Sequence, residues 1–129
     1  MQLTDDGGAA VVEFVLVGVL VVALFLGVLQ VGLYLHLRNV VTASVAEGAR
    51  EAANADRGCA DGAARAYDLI RRSVGRRVAD GLDLSGCEVV VRDGVALVRL
   101  RARGPLPLLF PPIGSITVDA TAHAVEEGQ

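Results

Sequence analysis

The sequence predicts an α+β fold in which two helices precede a three-stranded antiparallel sheet. Three patterns support this prediction. A long run without charged residues lies near the N-terminus, a stripe of apolar residues at helical spacing follows it, and a period of two residues appears in the second half of the chain. Helical patterns come first and strand patterns come second, and this segregation along the chain is typical of α+β architecture.

The first element is an apolar helix predicted over residues 9–37. No Asp, Glu, Lys or Arg occurs from Phe14 to Leu37, and a helix of that span is roughly 36 Å long. The hydrocarbon core of a bilayer is about 30 Å thick, so the helix can cross the lipid bilayer once. A cleavable signal peptide is the alternative, but such peptides have a basic start and an apolar stretch of about 7–15 residues. Residues 1–8 form a short leader without a basic residue, so a retained anchor is predicted.

Two helical segments are predicted in the domain formed by residues 38–129. The first helix continues over residues 38–57, which contain no proline and carry apolar residues at helical spacing, and it ends near Gly58. A second helix is predicted over residues 61–80, with Asp61 as its N-cap. Its apolar stripe consists of Ala63, Ala66, Tyr67, Ile70, Val74 and Val78.

A β-hairpin is predicted around Asp93-Gly94, with strands over residues 87–92 and 95–103. Asp-Gly between two runs rich in β-branched residues is a strong hairpin signal. A two-residue turn places Arg92 opposite Val95 and Glu88 opposite Arg99, and the second pair is attractive. One face of the hairpin is then entirely apolar, and we expect it to face the core: Cys87, Val89, Val91, Ala96, Val98 and Leu100.

A third strand is predicted over residues 115–125, where apolar residues alternate again. The segment before it, residues 104–114, is rich in proline and apolar residues. Proline lacks a backbone N–H, so this segment is predicted to be neither helix nor central strand.

Composition excludes some classes of function. The net charge is -3, which is too mild to predict binding to nucleic acid. No zinc-type spacing and no glycine-rich phosphate loop occurs. His36 and His123 have no neighbouring acid and nucleophile in sequence, so we expect no metal, no cofactor and no enzyme activity.

The two cysteines, Cys59 and Cys87, form an even set. If the domain lies outside the cytoplasm, an even count indicates a disulfide between them. Two free, buried thiols are the alternative.

The N-terminal half resembles the TadE-like family of minor pseudopilins from the Tad (Flp) pilus system. The residues that carry the resemblance are Gly8, the segment from Ala9 to Phe14, the long helix behind it, residues 38–40, and residues 46–53. The resemblance is strongest over residues 8–53 and looser through the hairpin and the last strand.

The resemblance implies a prepilin-like protein of the bacterial cytoplasmic membrane. A prepilin peptidase would cut after Gly8, so that Ala9 becomes the mature N-terminus and Glu13 its fifth residue. In pilins an acid at that position pairs with the N-terminal amine of a neighbouring subunit, and a carboxylate at the edge of hydrocarbon requires a cationic partner in any case. The other implied partners are further Tad pilus subunits or assembly proteins. The resemblance also implies that the domain lies outside the cytoplasm and that the protein can be incorporated into a surface fibre.

Two features of the sequence differ from this family pattern. Prepilin leaders are usually basic, whereas this one contains Asp5 and Asp6. Arg38 follows the apolar run, and the positive-inside rule by itself favours the opposite orientation. The alternative function is a membrane-anchored extracytoplasmic binding module unrelated to pili. A small anchored enzyme is a third hypothesis, with His123 as its best catalytic candidate.

Overall fold

The computed structural model describes residues 6–107 and 116–126. It contains three helices followed by three strands, so the predicted α+β class is confirmed. The chain divides into two compact units, residues 1–33 and residues 34–129.

Helix α1 extends from Asp6 to Ala53 without interruption. It ends four residues before the predicted end at residue 57. The chain turns there instead, and the backbone N–H of Arg57 donates to the carbonyl of Asn54 at 3.0 Å. Asn54 and Asp56 belong to the residue types that favour turns over helix interiors, because their side chains compete for backbone hydrogen bonds.

The second predicted helix is two helices, α2 over Cys59–Val74 and α3 over Arg76–Asp80. Gly75 separates them with a φ of 99°, a left-handed value that ends α2. The prediction that Asp61 is the N-cap was wrong. Gly58 occupies that position, and its backbone N–H donates a hydrogen bond to Asp61 Oδ2 at 3.1 Å. The acid therefore lies in the first turn of α2, where it also interacts favourably with the helix dipole.

The sheet consists of β1 over Asp83–Arg92, β2 over Val95–Leu106 and β3 over Ile116–Val125, in the order β1-β2-β3. Both neighbouring pairs are antiparallel, and Arg92 pairs with Val95 while Glu88 pairs with Arg99, as predicted. Asp93 and Gly94 have φ values of 54° and 82°, which match a two-residue turn of type I′.

The strands are longer than predicted. β1 begins at Asp83 rather than 87, with an irregular register between Asp83 and Gly86. β2, the central strand of the sheet, continues through Pro105 to Leu106. The prediction that residues 104–114 contain no central strand was therefore wrong for residues 104–106. Pairing with β1 stops at Arg103, so Pro105 has a strand on one side only and its missing N–H breaks no ladder. Residues 108–115, the rest of the loop and the first residue of the predicted third strand, lie outside the described residues.

The core of the second unit lies between the helices and one face of the sheet. Fully buried side chains come from all the layers: Val41 and Val45 of α1, Ile70 of α2, and Leu100 and Val118 of the sheet. Gly48 of α1 and Gly62 of α2 face each other so closely that a Cβ on Gly48 would lie 2.5 Å from the carbonyl oxygen of Gly62. These two glycines allow the backbones of α1 and α2 to touch.

The predicted apolar face of the hairpin is only partly covered. Ala96, Val98 and Leu100 of β2 are buried, whereas Val89 and Val91 of β1 remain 56% and 70% exposed. The last turn of α1 packs on the sheet at Val98 through Ala52 and Ala53. Because α1 ends there, it does not extend over the outer end of β1.

Candidate processing and assembly segment

The N-terminal unit is a helix whose apolar side chains are uncovered on all sides. From Val11 to Val31 the large apolar residues are exposed, with Phe14 at 78%, except for Leu26, which is half-buried. Among the described residues, α1 is the one helix long and apolar enough to cross a membrane, and its most apolar window is not buried within the protein. A helix that is apolar all round and uncovered by protein fits a single-pass membrane anchor.

The second unit begins at Tyr34, which is half-buried. Leu37 is buried against this unit. The last turn of the segment predicted to be in the membrane therefore belongs to the packed domain.

Gly8 and Ala9 lie in the first turn of α1, and both are exposed. Gly7 precedes them, and a Cβ at either glycine would meet nothing within 4 Å. Two consecutive glycines weaken a helix by roughly 1 kcal/mol each relative to alanine, and the first helical turn has unpaired N–H groups. The Gly8–Ala9 bond is therefore accessible and lies where the helix opens most easily. Residues 1–5 of the predicted leader lie outside the described residues.

Glu13 lies one helical turn after Ala9, so the two residues are on the same face of α1. Its side chain is exposed, and Phe14 begins the charge-free run directly after it. The structure describes no cation of the same chain paired with Glu13 among residues 6–107 and 116–126. A carboxylate at the start of an apolar helix is stabilised by a cation from another molecule or by the headgroup region.

The two cysteines are brought together in the second unit. Cys59, the first residue of α2, and Cys87 of β1 form a disulfide with a Cα–Cα distance of 5.6 Å. The disulfide links the start of α2 covalently to β1, an edge strand of the sheet. The alternative of two free thiols is thereby removed.

The outward face of the sheet carries paired charges. Arg101 of β2 donates two hydrogen bonds to the carboxylate of Asp119 on β3, one of them from Nε to Oδ1 at 2.8 Å. These hydrogen bonds hold the pKa of Asp119 below its ordinary value of 3.8. Arg99 forms an ion pair with Glu88 across β1 and β2. Two arginines of this face, Arg99 and Arg101, are therefore paired with acids on neighbouring strands.

The two histidines lie on different elements, α1 and β3. His36 is exposed on α1, and His123 is exposed on the outward face of β3 opposite Arg99. Among the described residues, no group of three or more His, Cys, Asp or Glu side chains is placed to hold a metal ion.

Comparison with protein families bears on the segment that contains Gly8, Ala9 and Glu13. Residues 8–50 match the family model described as TadE-like protein. The resemblance predicted from the sequence is thus confirmed for this segment, which lies entirely within α1. Comparison with curated proteins and with solved structures gave no match.

The TadE-like match suggests a component associated with a Tad pilus. It covers the apolar helix and most of the part of α1 that packs in the domain, including Gly48 at the contact with α2, but not Ala52 and Ala53. The disulfide and the sheet lie outside the matched residues.

Sequence reasoning missed one feature of this protein's surface, which is the exposure of Val89 and Val91. The alternation of β1 correctly assigns both residues to the face of Val98. No sequence signal shows that the cover provided by α1 stops at Ala53.

Proposed function

We propose that this protein is a minor pseudopilin-like structural component that helps to assemble a Tad/Flp-type pilus or secretion fibre. In this proposal a prepilin peptidase cuts the chain after Gly8, and the role is structural rather than catalytic. The observation that carries the proposal is the TadE-like match over residues 8–50, which begins at a glycine in the first turn of an uncovered apolar helix.

The apolar part of α1 supports a membrane anchor. Large apolar side chains from Val11 to Val31 are exposed to the surroundings, and lipid is the solvent in which such a helix is stable. In the proposed orientation the second unit lies outside the cytoplasm, where a disulfide between Cys59 and Cys87 persists. The disulfide therefore favours the family's orientation over the one that Arg38 favours through the positive-inside rule.

The proposed processing bond lies in a segment that opens readily. A peptidase must bind the chain in an opened conformation, and Gly7 and Gly8 reduce the free energy needed to open the first turn of α1. Cutting after Gly8 creates a new α-amino group on Ala9.

Glu13 is placed to take part in assembly. Transfer of a carboxylate into hydrocarbon is strongly unfavourable unless a cation accompanies it. The amine created on Ala9 of a neighbouring subunit provides such a cation at the depth of the helix start. Pairing would favour subunits whose helices are aligned, and this gives the acid a role in assembly.

Intact mass and N-terminal sequencing of the protein from its native membrane test the processing step. We expect a mature chain that begins at Ala9. Gly8→Val should block the cut, and Gly7→Val is the matched control that should still be cut. A chain that retains residues 1–8 in cells with an active prepilin peptidase would contradict the proposal and favour the anchored binding module.

A separate experiment tests the assembly step. Glu13→Gln removes the charge with little change of size, so we expect normal processing but loss of co-purification with other pilus subunits. Glu126→Gln, at an exposed acid near the other end of the chain, is the control and should leave co-purification intact. Equal co-purification of both variants would show that Glu13 has no assembly role.

A further inference from the structure

The edge strand β1 has backbone N–H and C=O groups that form no hydrogen bond with a strand of its own sheet. The N–H of Glu126 donates to the carbonyl of Ala96 at 3.0 Å, so the even-numbered residues of β2 direct their backbone groups toward β3. The odd-numbered residues of β2 therefore bond to β1, where their partners are Arg92, Val90, Glu88 and Gly86. The alternating residues Cys87, Val89 and Val91 direct their N–H and C=O groups away from the sheet.

The side chains of this edge are apolar and exposed. Val89 and Val91 lie on the core face but are 56% and 70% exposed, and Val90 lies half-buried on the other face. The opposite edge differs, because the core-face residues Ala122 and Ala124 of β3 are small and half-buried. An exposed strand edge with three consecutive valines favours pairing with another strand.

We propose that β1 pairs with β1 of a second copy of this chain, antiparallel and symmetric about Val90. The free backbone groups belong to odd-numbered residues, so only registers that place odd residues opposite odd residues form the ladder. The register centred on Val90 places Val89 opposite Val91 of the second copy. It also places Glu88 of each copy opposite Arg92 of the other.

Charge complementarity selects this register over its neighbours. Registers centred on Val89 or Val91 also use the free backbone groups, but they place Glu88 or Arg92 opposite a valine. In the register centred on Val90, Glu88 lies between Arg99 of its own chain, with which it already pairs, and Arg92 of the second copy. Arg92 has no ion pair among the residues that the structure describes. Two opposite-charge pairs therefore form on one face while valines pack on the other.

The ends of β1 limit the length of this contact, and its two-fold symmetry limits it to two copies. The Asp93-Gly94 turn ends β1 on one side, and its irregular register between Asp83 and Gly86 ends regular pairing on the other. A two-fold contact uses the same edge of both copies and leaves no free β1 edge. The inference rests on the sheet alone and is independent of the proposed pilus function.

Cysteine cross-linking of the full chain in detergent tests the register. Val90→Cys places two thiols directly opposite each other in a non-hydrogen-bonded pair, where Cβ atoms approach to about 4.5–5.5 Å. Leu97→Cys is the matched control, because Leu97 pairs with Val90 on the same face but one strand further in. Three strand spacings, roughly 14 Å, would separate the two Leu97 positions. Under mild oxidation we expect at least about tenfold more covalent dimer from Val90→Cys. Equal yields from the two variants would overturn the proposal.

A charge change tests the pairing without an introduced thiol. Arg92→Glu places like charges opposite each other twice, so we expect the fraction of dimer measured by light scattering to fall roughly tenfold. Mixing the Arg92→Glu chain with a Glu88→Arg chain restores both opposite-charge pairs and should restore dimer. Intact mass that shows the retained Cys59–Cys87 disulfide verifies the fold of each variant. A wild-type chain that is monomeric at all concentrations, or a variant that dimerises as well as the wild type, would refute β1 pairing.

Discussion

The contact between α1 and α2 depends on two glycines, and Gly48→Ala perturbs it with a single methyl group. A Cβ at Gly48 would lie 2.5 Å from the carbonyl oxygen of Gly62, 2.8 Å from Leu100 Cδ2 and 2.9 Å from Ala66 Cβ. Ordinary contacts of a Cβ begin at 3.4 Å. The oxygen belongs to the backbone of α2, so it cannot yield by a side-chain rotation. The helices must separate by nearly 1 Å.

Two opposing effects determine the size of the change. Overpacking of a well-packed contact destabilises by about 1–3 kcal/mol, and a rigid backbone neighbour places this case near the upper value. Alanine favours a helix interior over glycine by about 1 kcal/mol. The overlap outweighs the propensity gain, and we expect a net loss of about 2 kcal/mol in the free energy of unfolding of the second unit.

Thermal unfolding of the full chain in detergent, followed by circular dichroism, measures this loss. For a domain of roughly a hundred residues, 1 kcal/mol corresponds to about 4–8 °C, so Tm should fall by about 8–16 °C. Gly32→Ala is the control in the same helix, because a Cβ there meets nothing within 4 Å. Its Tm should equal or exceed that of the wild type.

The reasoning is refuted if Gly48→Ala is as stable as the wild type while the control behaves as expected. That result would mean that α1 and α2 do not touch at Gly48 and Gly62. A fall in the Tm of both variants would point instead to a general intolerance of α1 to alanine.

Three further predictions concern the second unit. Replacing both Cys59 and Cys87 by Ser should lower the free energy of unfolding by about 3–4 kcal/mol, because the disulfide closes a loop with a sequence separation of 28. Denaturant unfolding measures this free energy. Arg101 lowers the pKa of Asp119, so this pair stabilises the fold above about pH 4, the ordinary range of the unfolded carboxyl. The stabilisation is lost as pH falls through the lower pKa of the folded state. Acid unfolding of the wild type compared with Asp119→Asn measures this loss. Gly94→Ala should cost about 1–2 kcal/mol, because the φ of Gly94 is 82° and no atom crowds the site; urea unfolding measures it.

Each of these predictions has a contrary outcome. Unchanged stability of the double Ser variant would show that the disulfide constrains nothing in the unfolded chain. Parallel acid-unfolding curves for the wild type and Asp119→Asn would exclude the ion pair with Arg101 as a source of acid sensitivity. A neutral Gly94→Ala variant would mean that the turn adopts another type.

The hairpin shows how much local sequence determines. Asp93-Gly94 specifies a two-residue turn, and the alternation of the flanking strands then sets the register, because a slip by one residue would exchange the two faces. The pairs of Arg92 with Val95 and of Glu88 with Arg99 were therefore predictable. The uncharged run from Phe14 to Leu37 was equally informative, because the length of an apolar helix can be compared directly with the thickness of a bilayer.

The candidate site was predictable to the extent that it is local. Gly8, Ala9 and Glu13 lie close together along one stretch of α1, and their mutual positions follow from helix geometry. The end of α1 at Ala53 and the break at Gly75 were not predictable in the same way. Both depend on where the chain must turn to pack its next element, and composition permits several turning points.

By itself, the sequence determined that helices precede strands, that the first helix has an apolar anchor, and which residues pair in the hairpin, because each depends on neighbours along the chain. Only the tertiary structure decided which apolar residues are covered. Val89 and Val98 share a face of the sheet, yet one is exposed and the other buried, because Ala52 and Ala53 of α1 reach the second and not the first. Coverage depends on the length and placement of a distant helix, and no local pattern in β1 contains that information.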